Sequence, residues 1–297
     1  MILVIGGRSK IGVALIDGLL ERDQHVRVLV RAGEQAEGVA EGVEIVTGDL
    51  ADEGSLVTAM EGIEKVFLLS SPHPDAIRWH RNAIDAARRT DVQLLVRSSI
   101  IGADRESPAE FVGAHTACDH YLEDSGLPHV IVRPNLFLQN IPESMIPSID
   151  ASGAFYVDAG EARISMVDTR DVGAVAAVVL TEPGHAGARY DVTGPEALSY
   201  ADVASKLTRA LGRQITYIDA PDDAVRGGLL GAGLSAWFAG ALVGLYQDYR
   251  RSGTDGYAAQ VTDTVERLTE SPARTLDDLL GEIAPDLKAT QGDPAEA

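Results

Sequence analysis

The hydrophobic positions in the first half of the chain follow two alternating rhythms. Short apolar runs rich in Val, Ile and Leu occupy residues 2–6, 26–30, 43–47, 65–69, 92–98 and 129–133. Unbroken runs of that length are the pattern of strands buried on both faces. Between them, residues 10–21, 54–61, 75–89 and 108–124 repeat with helical spacing. Ile11, Leu15 and Leu19 share one face of the first segment, and Ile77, Ile84 and Ala87 share one face of the third. Strands that alternate with helical crossovers predict an α/β fold built on a doubly wound parallel sheet.

Beyond about residue 140 the rhythm breaks. Two strand-like pieces, "GAFYV" and "ARISMV", precede a helix at about 169–180. A strand at 188–192, a capped helix from Ser199 to Leu211 and a strand at 214–219 follow, and the rest to about 285 reads as helical. This divides the chain into a nucleotide-binding domain over 1–150 and a smaller, mostly helical substrate portion over 151–285, with the chain crossing back to the sheet. Residues 286–297, ending "ATQGDPAEA", read as a disordered tail. The apolar stretch 229–245 carries glycines, a serine and charged neighbours, so it predicts one or two helices lining an apolar cavity rather than a membrane span.

Composition narrows the function classes. The 25 basic and 45 acidic residues give a net charge of −20, which opposes binding to nucleic acid or anionic membranes. The single cysteine, Cys118, permits no internal disulfide and reads as core packing. With no basic, cleavable leader at residue 1, the expected setting is cytoplasmic, with a small-molecule partner and a monomer or homodimer. Several chemistries find no support in the motifs. The seven histidines form no H-E-x-x-H and one cysteine builds no thiolate metal site, so no metal is expected. Nucleophile-elbow and Walker patterns are also missing.

The candidate chemistry lies where apolar runs end. "ILVIGGRSKIG", residues 2–12, runs from a strand through a glycine turn into a helix, the order in which a dinucleotide pyrophosphate is held. Gly6 and Gly12 keep the outer glycines of that pattern, Gly7 adjoins them, and Ser9 stands where the middle glycine is usual. A negative φ at Ser9 would cost little and leave its hydroxyl able to donate to phosphate; a positive φ would cost roughly 1 kcal/mol. The backbone from Arg8 through Ser9, Lys10 and Ile11 would face the phosphates. Arg31 ends the second strand, where an arginine suits the 2′-phosphate of NADPH and an acidic residue suits NADH. Its alternative is an exposed strand-end charge, and Arg8 faces the same alternative. Asp49 and Leu50 in "GDL", Leu69, Ser70 and Ser71 in "LLSSP", and Ser98 and Ser99 in "RSSIIG" follow later strands. Ligands in such sheets bind at those carboxyl ends.

Together with "VFLLSS", "SGLPHVIVRPNLFLQNI", "VDTRDVGAVAAVVL" and "YDVTGPEALSYADVASKLTRALGR", these residues resemble the NmrA-like branch of atypical short-chain dehydrogenases, which includes triphenylmethane reductases and NAD(P)H:quinone oxidoreductases. The resemblance covers residues 1 to about 285 and implies an extended Rossmann fold binding NADPH in preference to NADH. The family loop reads G-A-T-G-x-x-G, from which Arg8 and Ser9 depart. No tyrosine is followed four positions later by lysine, so the Tyr-Lys pair of the wider superfamily is missing. His115 and Asp119 align instead with a family H-x-x-x-E pattern. His115 is the candidate catalytic group beside the nicotinamide, with a buried structural histidine as the alternative. Pro134 and Asn135 are implied as cofactor neighbours, and Phe137 borders nicotinamide and substrate. Ile100, Phe137, Trp237 and Phe238 are the candidate substrate contacts. Arg133 reads as a strand-end anchor, and Asp168 and Asp171 as helix caps outside the site. The expected activity is hydride transfer from NADPH to an electron-poor, mostly apolar quinone, enone or iminium. A non-catalytic NADP(H)-binding redox sensor is the alternative.

Overall fold

The computed structural model describes residues 1–33 and 40–289, with side chains through Pro285. The chain divides into two units that interleave in sequence: Met1–Pro134, Thr169–Val192 and Thr264–Ser271 in the first, and Asn135–Asp168, Thr193–Asp263 and the segment from Pro272 in the second.

In the first unit the apolar runs form a parallel sheet. Its strands are β1 (Ile2–Ile5), β2 (Val26–Val30), β3 (Glu44–Thr47), β4 (Lys65–Leu68), β5 (Leu94–Ser98), β6 (His129–Pro134) and β8 (Arg189–Val192). They lie in the order β3-β2-β1-β4-β5-β6-β8. The strand order reverses between β1 and β4, which is where such sheets open a ligand crevice at their carboxyl ends. Helices α1 (Lys10–Leu20), α2 (Glu53–Ala59), α3 (Ala76–Arg88), α4 (Glu110–Asp124) and α6 (Thr169–Thr181) make the crossovers, each within a few residues of its predicted position. Helices α2 to α4 cover a fully buried core that includes Leu3, Ile5, Leu56, Met60, Leu95 and Leu122. Helix α1 lies so close to α6 that a Cβ on Gly173 would stand 2.8 Å from the Leu15 backbone nitrogen. Arg133 is the expected strand-end anchor, paired with Asp104 at 2.8 Å and Asp191 at 2.7 Å.

In the second unit β7 (Ala154–Val157) pairs in parallel with β9 (Thr216–Asp219). Helix α7 (Tyr200–Leu211) starts at the predicted cap: Ser199 accepts from the Asp202 amide while the Asp202 carboxylate accepts from the Ser199 amide. "ARISMV" does not form a strand. Its Ile164 and Val167 make isolated bridges to Leu198 and Phe137 instead. The sequence reading also passed over helix α5 (Asn140–Ser152), which carries Pro147 in its interior. The 229–245 stretch becomes two helices, α8 (Asp222–Gly231) and α9 (Ala236–Ser252), and no helix among the described residues is long and apolar enough to cross a membrane. Helix α10 (Thr264–Thr269) belongs to the first unit. Helix α11 (Leu276–Ala289) extends into the segment expected to be a tail, and residues 290–297 lie outside the described residues.

Candidate active site

The loop between β1 and α1 settles the role of its serine. Ser9 has φ −73° and ψ 160°, so it is the N-cap of α1 in ordinary extended geometry. Its hydroxyl accepts from the Gly12 amide at 3.0 Å and donates to the Gly6 carbonyl at 2.8 Å. The single hydroxyl proton is therefore spent inside the loop. Of the two expected alternatives the negative φ is the one observed, and in this geometry Ser9 shapes the turn, which an N-cap serine does at a gain of about 1 kcal/mol over alanine. The outer glycines are fixed by sterics. Gly6 has φ +88°, and a Cβ there would stand 2.7 Å from the Leu69 carbonyl oxygen. On Gly12 it would stand 2.2 Å from the Gly6 carbonyl oxygen. The loop is thus a backbone cradle at the positive end of a helix, of the form a pyrophosphate fits.

The other predicted positions of the first unit follow strands that share this edge. Arg8 is exposed at the turn, and Arg31 is exposed directly after β2. Asp49 follows β3, where its carboxylate accepts from the Ala51 amide at 2.7 Å, and the Leu50 carbonyl accepts from Asn82 at 2.8 Å. Leu69 and Ser70 follow β4 half-buried and Ser71 is exposed, while Ser98 and Ser99 close β5 and are buried. Pro134 ends β6 and Ile100 follows Ser99.

Behind the edge of β4 and β5 lies a buried polar network, most of which the sequence reading did not find. Its centre is Arg97 of β5, 1 % exposed. Arg97 Nε donates to His80 Nδ1 at 2.9 Å, Nη1 is ion-paired with Asp119 Oδ1, and Nη2 lies 3.1 Å from His115 Nδ1. His80 Nε2 reaches Ser70 Oγ at 2.9 Å, and Ser99 Oγ donates to Asp119 Oδ2 at 2.6 Å. Ser70, Ser99 and His115 were predicted site residues; His80 and Arg97 were not. A charge inside the apolar run "LLVRSS" was the available signal, because a buried guanidinium requires partners on the elements that cover it.

The sequence matches a family model described as NAD(P)H-binding over residues 6–183. The chain belongs to that family. A relative named NAD(P)H azoreductase from Xenophilus azovorans is 35% identical over 93% of this chain and 95% of its own length. A second, named (4-alkanoyl-5-oxo-2,5-dihydrofuran-3-yl)methyl phosphate reductase, from Streptomyces griseus, is 33% identical over 96% of this chain and 98% of its own. Among solved structures, the NADPH-dependent quinone oxidoreductase QOR2 of Escherichia coli, complexed with NADPH, superimposes with a TM-score of 0.87 at 27% identity, over 95% of this chain and 99% of that one. The NmrA-like resemblance read from the motifs is borne out.

Within the family fold the network sets the protonation of its members. Burial, then the Arg97 charge, takes the half-buried His115 down to about 3. Burial followed by Arg97 also holds His80 well below the ordinary histidine range. Burial pushes the Asp119 carboxyl up, while Arg97 and the Ser99 hydroxyl pull it back. An imidazolium acid at His115 is therefore not what this site offers near neutral pH. A folded-state pKa below the unfolded value of 6.5 means that only the unfolded chain takes up the proton as pH falls. The His115 contribution is intact above about 6.5 and is lost progressively down to about 3, at roughly 1.4 kcal/mol per pH unit. Chemical-denaturation midpoints of the wild type and His115→Gln are expected to diverge by about 2 kcal/mol in relative stability between about pH 6.5 and 4.5; parallel curves would show that His115 titrates normally in the fold.

The remaining predicted residues belong to the second unit. Asn135 is buried, and its amide nitrogen donates to Ser165 Oγ at 3.0 Å and to the Ala258 carbonyl at 2.8 Å. Its oxygen accepts from the Leu136 amide. The carboxamide is thus engaged within its own unit. Phe137, Trp237 and Phe238 are half-buried there. Cys118 is core, 1 % exposed.

Proposed function

We propose that this protein is an NADPH-dependent reductase that delivers a hydride to an electron-poor, mostly apolar small molecule. The observation that carries the reading is the β1–α1 loop, whose Gly6 and Gly12 admit no side chain and which follows β1 at the strand reversal between β1 and β4. Gly6, Gly7 and the loop from Arg8 through Lys10 and Ile11 to Gly12 would line the pyrophosphate, with the Ser9 and Gly12 amides bonded within the loop and shaping it. Asp49, Leu50, Leu69, Ser70 and Ser71 border the adenosine half, and Ser98, Ser99 and Pro134 border the nicotinamide half. Bound NADPH supplies the hydride; the chain binds, orients and keeps water out. Within the first unit, Ile100 and His115 are assigned to substrate. The names of the relatives point to an azo compound, a quinone and an acyl-substituted oxo-dihydrofuran. All are electron-poor π systems, and such acceptors need little acid catalysis, which fits a site without a Tyr-Lys pair. The deciding experiment is NADPH oxidation with a panel of quinones, azo dyes and activated enones. Turnover with at least one class is expected. Tight binding of NADP+ and NADPH with no turnover would make the protein a redox sensor instead.

Preference for NADPH is assigned to Arg31, with Arg8 as a second positive group. A charged hydrogen bond to the 2′-phosphate is worth about 1.5–3 kcal/mol. Arg31→Ala is therefore expected to weaken NADPH about ten- to hundredfold in a fluorescence titration and NADH less than about threefold. Equal losses for both would remove the phosphate assignment.

A further inference from the structure

Arg97 is a donor on every nitrogen and an acceptor on none. Its contacts therefore dictate the state of the groups around it. Nε at 2.9 Å can bond His80 Nδ1 only if that nitrogen presents a lone pair, and Nη2 at 3.1 Å imposes the same on His115 Nδ1. A ring with a bare Nδ1 is neutral and carries its proton on Nε2. For His80 the consequence passes one step further. Its Nε2–H faces Ser70 Oγ at 2.9 Å, so the serine oxygen accepts and its own proton points elsewhere. Among the described residues the charged and titratable groups acting on the two rings are Arg97 from β5 and, on His80, His115; Asp119 is engaged by Arg97 and Ser99, so it does not compete for the ring protons.

We propose that Arg97 is a positioning residue that locks His80 and His115 as Nε2–H tautomers, and so presents the Ser70 hydroxyl and the His115 Nε2–H as two fixed hydrogen-bond donors. This rests on the reading above, in which Ser70 borders the dinucleotide and His115 the substrate. The Ser70 hydroxyl would donate its proton to bound NADPH. The His115 Nε2–H goes to the oxygen or nitrogen of the acceptor that gains negative charge as hydride arrives. A neutral imidazole can polarise such a group without transferring its proton. The substrate class is thereby sharpened to π acceptors with a hydrogen-bond-accepting heteroatom conjugated to the carbon or nitrogen that receives hydride.

The test uses the full chain with nitrogen-labelled histidine and reads the ring nitrogens by NMR near neutral pH without cofactor. Both His80 and His115 are expected as neutral Nε2–H tautomers. An Nδ1–H tautomer or an imidazolium at either position overturns the lock. Arg97→Met, made together with Asp119→Ala so that no buried charge is orphaned, removes both donors, so at least one histidine is expected to show a tautomer mixture; two unchanged signatures would overturn the role of Arg97. Ser70→Ala is expected to leave both tautomers in place and weaken NADPH about three- to tenfold. Unchanged affinity would overturn the donor role of Ser70. A correct tautomer signature with no turnover of any acceptor would fail the reductase reading while leaving the lock standing.

Discussion

Gly12→Ala is expected to abolish measurable NADPH binding and to cost about 3 kcal/mol or more of stability. The added Cβ would lie 2.2 Å from the Gly6 carbonyl oxygen, 2.6 Å from Gly7 Cα and 2.7 Å from the Gly7 carbonyl carbon. All three are backbone atoms, so no rotamer change relieves the overlap. Either α1 retreats from β1 or the turn opens. The Gly6 carbonyl also receives the Ser9 amide at 3.0 Å and the Ser9 hydroxyl at 2.8 Å, so either movement breaks the cap as well as the cradle. The same substitution at Gly113 in α4, which has nothing within 4 Å of the added Cβ, is expected to be neutral or stabilising by up to about 1 kcal/mol. Denaturant unfolding of both variants, with an NADPH titration, checks the pair. Wild-type affinity in Gly12→Ala would mean that the loop is not the phosphate cradle.

That contrast marks how far the sequence could be read. The parallel sheet was legible because Val, Ile and Leu runs alternate with helical stripes such as Ile11, Leu15 and Leu19, a pattern that few folds accommodate. The loop was legible as a location but not as a geometry: whether Ser9 was a burden depended on its φ, which residue identity leaves open. Helix α5 was hidden by Pro142 and Pro147, and it forms because its apolar Ile141, Met145, Ile146 and Ile149 find a surface to bury against. "ARISMV" alternates like a strand, yet Ile164 and Val167 find only single bridging partners. At the site, serines at strand ends were visible as a group. The Arg97 network was not, since it joins α3, β5 and α4, and proximity of that kind lies in the tertiary structure. Asn135 illustrates the reverse case. The resemblance implies it as a cofactor neighbour, while in the structure its amide nitrogen donates to Ser165 and the Ala258 carbonyl.

Asp119→Ala is expected to cost about 3–5 kcal/mol, because it leaves the Arg97 guanidinium buried without its anion. Arg97 is 1 % exposed, and its two histidine partners are held neutral, so Asp119 is the only carboxylate bonded to it among the described contacts. The loss also strands the Ser99 hydroxyl proton, which now goes to Asp119 Oδ2 at 2.6 Å. Asp119→Asn separates charge from hydrogen bonding. If the carboxyl is ionised in the fold, as two donors aimed at its oxygens require, asparagine should recover less than half of the loss. If burial keeps the carboxyl neutral, asparagine should be nearly as good as aspartate. Adding Arg97→Met to Asp119→Ala removes the orphaned charge and is expected to return part of the stability, so that the double variant is more stable than the sum of the singles. Equilibrium denaturation of the four proteins decides it. A loss below about 1 kcal/mol in Asp119→Ala would mean that water reaches Arg97, and the rigid placement of His80 and His115 would go with it.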